Sequence, residues 1–445
     1  MERLTPIDAE ILSTENDRSA AHGISIGVFE GPEPSFDDLC DLVAERVKLV
    51  PRYRQRLVEV PFGMARPVWV DDPHFSIDFH VRHTALPRRK KADALAMLVS
   101  RLLSQRLDRG KPLWELWMVS GLKEGHWALV SKVHYAVIDG VSGTDLFGLL
   151  HDDIVPMSTG DTFTAKPLPT PVRLASDAVT ENMFNPFEAM RTAQDLMVQP
   201  LRTFRRGMGS ALAGARRSEF GASSGPHRRW QRLRVPLDDV RDVRKLHDCT
   251  TTDVILAAIT GGIRHFLLEH GERVPAELST LLPLSVASEA TGFTHDVTAL
   301  LARLPVGNDS PIHRLDIISD QTALSAASEG AIAGDSLRRQ EHFSTPTVMA
   351  MGVRATLLEA HRKGRGRVDT VTINMPGPSE TQTVLGCELL KAYPVVPLVA
   401  NVRMAFAVMS YRNDLSFGIT GDWDTTPQLG LVADGIRSTI QELRS

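Results

Sequence analysis

Cysteine is scarce in this chain: its 445 residues hold three, Cys40, Cys249 and Cys387. They are too few and too scattered for a disulfide framework or a thiolate metal site, which points to a reducing compartment. No stretch offers the run of about 18 uncharged apolar residues that a spanning helix needs. The N-terminal MERLTPIDAEILSTENDRSA has acidic residues and a proline where a signal peptide keeps an apolar core. Also missing are a glycine-rich phosphate cradle, a nucleic-acid motif and repeats with a period of about 20–50 residues. Neither sign of charge dominates: 50 Lys and Arg face 54 Asp and Glu, for a net charge of −4, so nothing draws the whole chain towards nucleic acid.

What remains is an ordinary globular composition, 42% hydrophobic and 23% charged. The length exceeds the roughly 250–300 residues at which one core stops growing, so two domains are expected. Ser35 can cap a helix that carries Leu39, Val43, Val47 and Val50 on one face and ends at Pro51. A second helix is expected from about Asp93 to Gln105, with Leu95, Leu98, Val99 and Leu102 in register. PVWVDDPHFSIDFHVRH, between them, reads as strand interrupted at DDP. HWALVSKVHY alternates, with Trp127, Leu129, Val133 and Tyr135 on one side and Ala128, Val130, Lys132 and His134 on the other.

From about Asp153 to Gly225 the pattern weakens into Pro, Ser, Gly and Arg, as in a connection between domains. Residues 190–234 hold ten Arg, no Lys, one Asp and one Glu, so the basic charge is local. Within it Leu201, Phe204, Met208 and Leu212 fall at helical spacing beside Arg202, Arg205 and Arg206. That face suits an anionic lipid surface, or equally a solvated linker or a cover over the domain junction. Order resumes near Val235. Thr252 is the expected cap of TDVILAAITGGIRHFLLEHG, strands are expected at VDTVTIN, RMAFAVMSY and LSFGI, and Pro427 suits the first turn of a closing helix.

The candidate chemistry lies in KVHYAVIDGVSG, where a strand carrying His134 and Tyr135 runs into a turn with Asp139 and Gly140. Taken alone, a His followed by Asp-Gly is more often structural than catalytic. Its surroundings change that weighting: LSQRLDRGKPLWELWMVSGL upstream, then TTDVILAAITGGIRHFLL, LLPLSVAS, INMPGP and SYRNDLSFGITGDWD downstream. In that order and spacing the chain resembles the bacterial wax ester synthase/diacylglycerol acyltransferase family, within the coenzyme A-dependent acyltransferase superfamily. The resemblance implies an α/β, two-lobed chloramphenicol acetyltransferase-like fold, with mixed sheets flanked by helices and a tunnel between the lobes. The expected division is an N-terminal lobe at 1–152, an Arg/Pro-rich linker at 153–230 and a C-terminal lobe at 231–445.

The activity implied is transfer of a long acyl group from acyl-CoA to diacylglycerol or a fatty alcohol, with acyl-CoA as co-substrate and no bound cofactor or metal. Cytoplasmic location is expected, with peripheral contact at a membrane or lipid-inclusion surface. In the family's His-His-x-x-x-Asp-Gly signature the second His is the general base, the Asp shapes the loop and the Gly admits close backbone approach. Here His134, Asp139 and Gly140 match, but Tyr135 replaces that second His. A free Tyr titrates near ~10 and a His near ~6.5, so at neutral pH about one Tyr in a thousand is ionised, a handicap of roughly 4 kcal/mol. A Tyr hydroxyl can instead donate to a developing oxyanion, a contribution of ~2.7–4 kcal/mol at comparable sites. His134 has the better pKa and is the expected base, although adjacent strand residues face opposite ways.

Pro112, Leu113 and Trp114 match the family's Pro-Leu-Trp motif and are expected to anchor the core. Asp253 stands in the pair Thr252-Asp253 where the family has Asn-Asp, and a helix-capping role is expected there. Asn374, Pro376, Gly377 and Pro378 match Asn-Val-Pro-Gly-Pro and are expected to shape a loop, with Asn374 bonding its own backbone. A further family Asn is absent from the stretch that holds Thr294, His295 and Asp296. His74, His80 and His83 lie close in sequence, but spacings of six and three without cysteine make no recognised ligand set.

Overall fold

The computed structural model describes residues 2–87, 93–137, 146–154, 164–184, 220, 225–286, 296–328, 368–378, 380–398 and 402–445. Among them the strands are β1 (Glu2–Arg3), β2 (His22–Phe29), β3 (Gln55–Val58), β4 (Val68–Asp71), β5 (Val81–Ala85), β6 (Trp114–Ser120), β7 (Trp127–His134), β8 (Arg228–Pro236), β9 (Leu278–Val286), β10 (Asp296–Leu304), β11 (Thr370–Pro376), β12 (Thr383–Val384), β13 (Cys387–Val395), β14 (Met404–Tyr411) and β15 (Asp414–Asp422). Two six-stranded sheets dominate, in the orders β12-β13-β2-β7-β6-β5 and β10-β9-β11-β14-β15-β8, beside a small β1-β4-β3 sheet. Both large sheets are mixed. In the first only β5 and β6 run parallel; in the second β11 runs parallel to β9 and β14.

The alternation along β7 sorts two cores. Trp127, Leu129, Val133 and Tyr135 enter a large cluster that also takes Leu281, Val371, Ile373, Met375, Ala405, Ala407 and Met409 from the other sheet. Ala128 and Val130 face the opposite way, onto Ile24, Ile26 and Val28 and the helix Ala94–Ser104 through Leu95, Val99 and Leu102. The far face of the second sheet, with Met404, Phe406 and Val408, packs on the helices Thr251–Glu269 and Gly430–Leu443. The shared cluster therefore lies between the two sheets, and β7 presents one side chain row to it.

The segment β12–β13, assigned from sequence to the C-terminal half, hydrogen-bonds into the N-terminal sheet, with β13 antiparallel to β2 from Val395↔Ile24 to Leu389↔Phe29. The two sheets meet there: at Gly418 of β15 a Cβ would overlap the Pro394 carbonyl of β13. β8 begins at Arg228 and pairs with β15, and the connecting region holds a helix, Pro171–Phe184. The face built on Leu201, Phe204, Met208 and Leu212 lies outside the described residues, as do Thr294 and His295.

Local signals hold with small shifts. Ser35 caps Phe36–Arg46, its hydroxyl accepting from the Asp38 N–H at 3.0 Å; the helix stops at Arg46, and Pro51–Arg54 forms a separate short 3-10 turn. Asp93 caps Ala94–Ser104. The interrupted stretch resolves into β4, a short helix Ile77–His80 and β5. The cap of the long C-terminal-lobe helix is Thr250, not Thr252. The Thr250 hydroxyl accepts from the Asp253 N–H at 3.2 Å, and the Asp253 carboxylate accepts from the Thr250 N–H at 2.8 Å, a reciprocal box that satisfies two orphan donors. The last helix begins at Gly430 rather than at Pro427, with Gln428 at φ 53° between them.

Candidate functional site

The site forms where β7 ends. The His134 N–H donates to the Leu113 carbonyl at 2.9 Å and the Tyr135 N–H to the Ala21 carbonyl at 2.9 Å, so strands on both sides fix the exit from β7. Residues 135–137 then make a 3-10 turn. The two neighbouring side chains part there. Tyr135, buried to 1% exposure, enters the cluster between the sheets, while His134 turns to the opposite side. Asp139 and Gly140 lie outside the described residues.

Both ring nitrogens of His134 meet protein groups. Nδ1 accepts from the Ala136 N–H at 3.0 Å, which places the proton of a neutral ring on Nε2. Nε2 lies 3.8 Å from Oε2 of Glu15, and both side chains are 2% exposed. Glu15 follows the helix Pro6–Thr14. Its Oε2 accepts from Arg109 Nη2 at 2.7 Å and Nε at 3.2 Å, and its Oε1 accepts from the Ala21 N–H at 3.1 Å. Arg109 also donates to the Leu12 carbonyl at 2.9 Å. Burial pushes the Glu15 carboxyl up, but the His134 ring, Arg109 and the Ala21 amide outweigh it and hold it well below the usual carboxylate range. A fixed negative charge thus stands behind the imidazole.

Lys132, one pleat earlier on the same side as His134, is also buried, and its Nζ donates to the Gln105 carbonyl. Burial pushes its ammonium down to about 8, opposed by the charges of Glu115 and Glu15. Glu15 is not marked by a motif in the sequence, whereas Arg109 lies within LSQRLDRGKPLWELWMVSGL, one of the stretches that carry the resemblance, without being singled out there. The contact itself spans residues 15 to 134.

The Pro-Leu-Trp motif supports the same strand end. Pro112, Leu113 and Trp114 are buried, and Trp114 pairs with Val133 across β6 and β7. The Trp114 indole donates to the Tyr53 carbonyl at 2.8 Å and stacks on His80 with ring centres 4.4 Å apart. His80 Nδ1 lies 2.8 Å from the Trp114 carbonyl oxygen, and burial pushes its imidazolium down to about 4, so it sits neutral in the core. His83 Nε2 meets the Ser120 hydroxyl at 2.6 Å. The histidines at 74, 80 and 83 therefore do not converge, and among the described residues no group of His, Cys, Asp and Glu is arranged to hold a metal.

The remaining motif residues belong to the second lobe. Asp253 completes the capping box and accepts from the Thr322 hydroxyl at 2.7 Å. The Asn374 side-chain amide donates to the Thr252 hydroxyl at 3.3 Å, tying β11 to the start of the helix Thr251–Glu269, a contact that the sequence reading did not anticipate. Pro376 ends β11, and the Gly377 N–H donates to the Ser410 hydroxyl at 3.3 Å. A Cβ at Gly377 would overlap the Ser410 carbonyl, so only glycine lets the chain pass there, before Pro378. These contacts are structural: they set the wall of the second lobe, and Met375 on β11 faces the same cluster as Tyr135.

Comparison with known proteins places this geometry. The wax ester synthase/diacylglycerol acyltransferase catalytic domain matches residues 4–255, and the family's C-terminal domain matches residues 296–444. The "Probable diacyglycerol O-acyltransferase tgs1" of Mycobacterium tuberculosis is 34% identical over 453 aligned positions, covering 100% of this chain and 96% of that protein. The structure of a wax ester synthase/diacylglycerol acyltransferase from Marinobacter aquaeolei superposes with a TM-score of 0.70 at 22% identity, covering 100% of this chain and 98% of that one. The first condensation domain of the calcium-dependent antibiotic synthetase shares the fold at a TM-score of 0.57 and 13% identity, covering 100% and 95%. The two-lobed fold is thus the one shared by that acyltransferase and that condensation domain.

Proposed function

The chain belongs to the wax ester synthase/diacylglycerol acyltransferase family, and from that membership we propose that it transfers a long acyl group from acyl-CoA to the hydroxyl of diacylglycerol or a fatty alcohol. The observation that carries the reading is the parting of His134 and Tyr135 at the end of β7. Tyr135 occupies the family's base position in sequence and faces the cluster between the sheets.

His134 is given a positioning role in place of the base expected from sequence. Its Nδ1 holds the Ala136 N–H and its Nε2 faces Glu15, so neither nitrogen is directed at the space that Tyr135 faces. In the reaction proposed, the acceptor hydroxyl oxygen attacks the thioester carbonyl carbon. The C–O bond forms, the C–S bond breaks, and the acceptor proton passes to the departing thiolate to give free coenzyme A. The Tyr135 O–H donates to the carbonyl oxygen as charge gathers there. No cofactor is required by this route. This route lacks the general base that a His would supply, a contribution of about 10²–10⁴-fold, so slow transfer is expected.

That handicap favours a second reading, an acyl-CoA- and lipid-binding relative that keeps the fold without turnover. Purified protein with labelled acyl-CoA, offered diacylglycerol and a fatty alcohol separately, decides between them. The first reading expects ester with at least one acceptor, reduced in Tyr135→Phe. Saturable acyl-CoA binding with no ester above the protein-free level would instead establish the second.

A further inference from the structure

On the face of the N-terminal sheet away from the shared cluster, a cleft of about 530 Å³ opens beside the start of the helix Ala94–Ser104 and the turn that precedes β7. It lies at the opposite end of β7 from Tyr135: cleft-lining Val28 pairs with Ala128, seven residues earlier, or about 20 Å along the strand. Part of its wall is apolar, from Val28, Leu95 and Leu122 with the Tyr393 ring.

The cations of the cleft are Lys123, Arg232 and Lys391, with His126 beside them. Arg232 is engaged: Nε and Nη2 donate to the Asp93 carboxylate at 2.8 and 3.2 Å, and its guanidinium carbon lies 5.1 Å from the Tyr393 ring centre. Asp93 is in turn the cap of the helix, accepting from the Ala96 N–H. Among the described residues, the side-chain ammonium groups of Lys123 and Lys391 make no hydrogen bond or ion pair. Glu124, the other acid of the cleft, is 78% exposed and lies 3.9 Å from His126 Nε2. Lys391 is half-buried; burial, then the charges of Arg234 and Arg232, disfavour its ammonium, and Glu124 and Asp414 act against them. A half-buried ammonium with no side-chain hydrogen bond, above an apolar wall, is the arrangement that an anion with an apolar tail relieves.

We propose that this cleft binds the phosphate of an amphiphile, with Lys123 and Lys391 contacting the phosphate and Val28, Leu95 and Leu122 taking the adjoining apolar part. Two unengaged lysines match a phosphate dianion better than a single carboxylate. The phosphate comes either from an anionic phospholipid or from the nucleotide end of a coenzyme A thioester, and the assignment does not depend on the transfer reaction.

Two probes test it on the full chain: adenosine 3′,5′-bisphosphate by calorimetry, and phosphatidylcholine vesicles containing phosphatidate by sedimentation, against phosphatidylcholine alone. One of the two is expected to bind wild type, with salt weakening the interaction. Lys391→Gln and Lys123→Gln should each weaken it about tenfold, the loss of one charge-assisted contact. Lys391→Arg should retain it, and unchanged melting temperatures show that the variants are folded. Nucleotide binding assigns the site to coenzyme A, and vesicle binding assigns it to lipid. Binding of neither probe, or binding unchanged in the double Gln variant, overturns the proposal. Because the readout is binding, its failure leaves ester formation untouched, and the reverse also holds.

Discussion

Glu15 is the residue on which the local geometry turns. It carries a buried negative charge held between Arg109, the Ala21 amide and the His134 ring. Glu15→Gln keeps the size and removes the charge, leaving Arg109 opposite a neutral amide. The Arg109 side chain is 40% exposed and can turn to solvent, so the loss is that of charge-assisted hydrogen bonds, about 1.5–3 kcal/mol; urea unfolding should show a loss of that order, and a change within about 0.5 kcal/mol, as at an ordinary surface site, would contradict it. The pH dependence has a definite sign. The folded carboxyl titrates below its ordinary 4.5, so its contribution is complete above that value and is lost as pH falls towards the folded value. Wild type should therefore lose more stability than Glu15→Gln on acidification below about 4.5. The sequence makes His134 and Tyr135 legible, because strand alternation sends neighbours to opposite faces. Glu15 is not legible in it, since its partners lie far along the chain and only folding brings them together.

At the scale of elements, β6 and β7 form the platform, and Trp114 fixes their pairing through the Tyr53 carbonyl and the stack on His80. Trp114→Ala should cost about 3–5 kcal/mol in urea unfolding, as for other buried aromatic truncations. A loss as small as that of an exposed tryptophan would show that the motif is not an anchor. Periodicity places the helices Phe36–Arg46 and Ala94–Ser104 and the strands β7, β11, β14 and β15, because burying one face imposes the pattern directly, whereas β2, β9, β10, β13 and the helix Pro311–Ser328 are not read from it. Ends are less legible: Thr250 and Thr252 are both competent caps, and the choice of Thr250 depends on the reciprocal bond with Asp253 three residues on. Asn374 illustrates the same limit, since Asn can close a local turn, yet its side chain bonds to Thr252 on another element.

At the scale of the molecule, two lobes are legible from length, alternating elements and the basic connection, but their interleaving is not. Strand pairing is non-local, so nothing in residues 383–395 announces that β12 and β13 complete the N-terminal sheet. The consequence is that the chain does not divide cleanly at the connection. Residues 1–230 expressed alone lack β13, leaving an unpaired β2 edge and an uncovered part of the shared cluster, and should fail to give a cooperative unfolding transition. A stable monomer with one sharp transition would contradict the interleaving. The same cluster between the sheets holds Tyr135, and the central claim concerns what that side chain does. The direct measurement is the rate of ester formation from labelled acyl-CoA by wild type, Tyr135→Phe and Tyr135→His under one set of conditions. The account predicts a fall of about 10²–10³-fold in Tyr135→Phe, as on losing an oxyanion donor, and a gain over wild type in Tyr135→His. Equal rates in all three would show that Tyr135 takes no part in transfer.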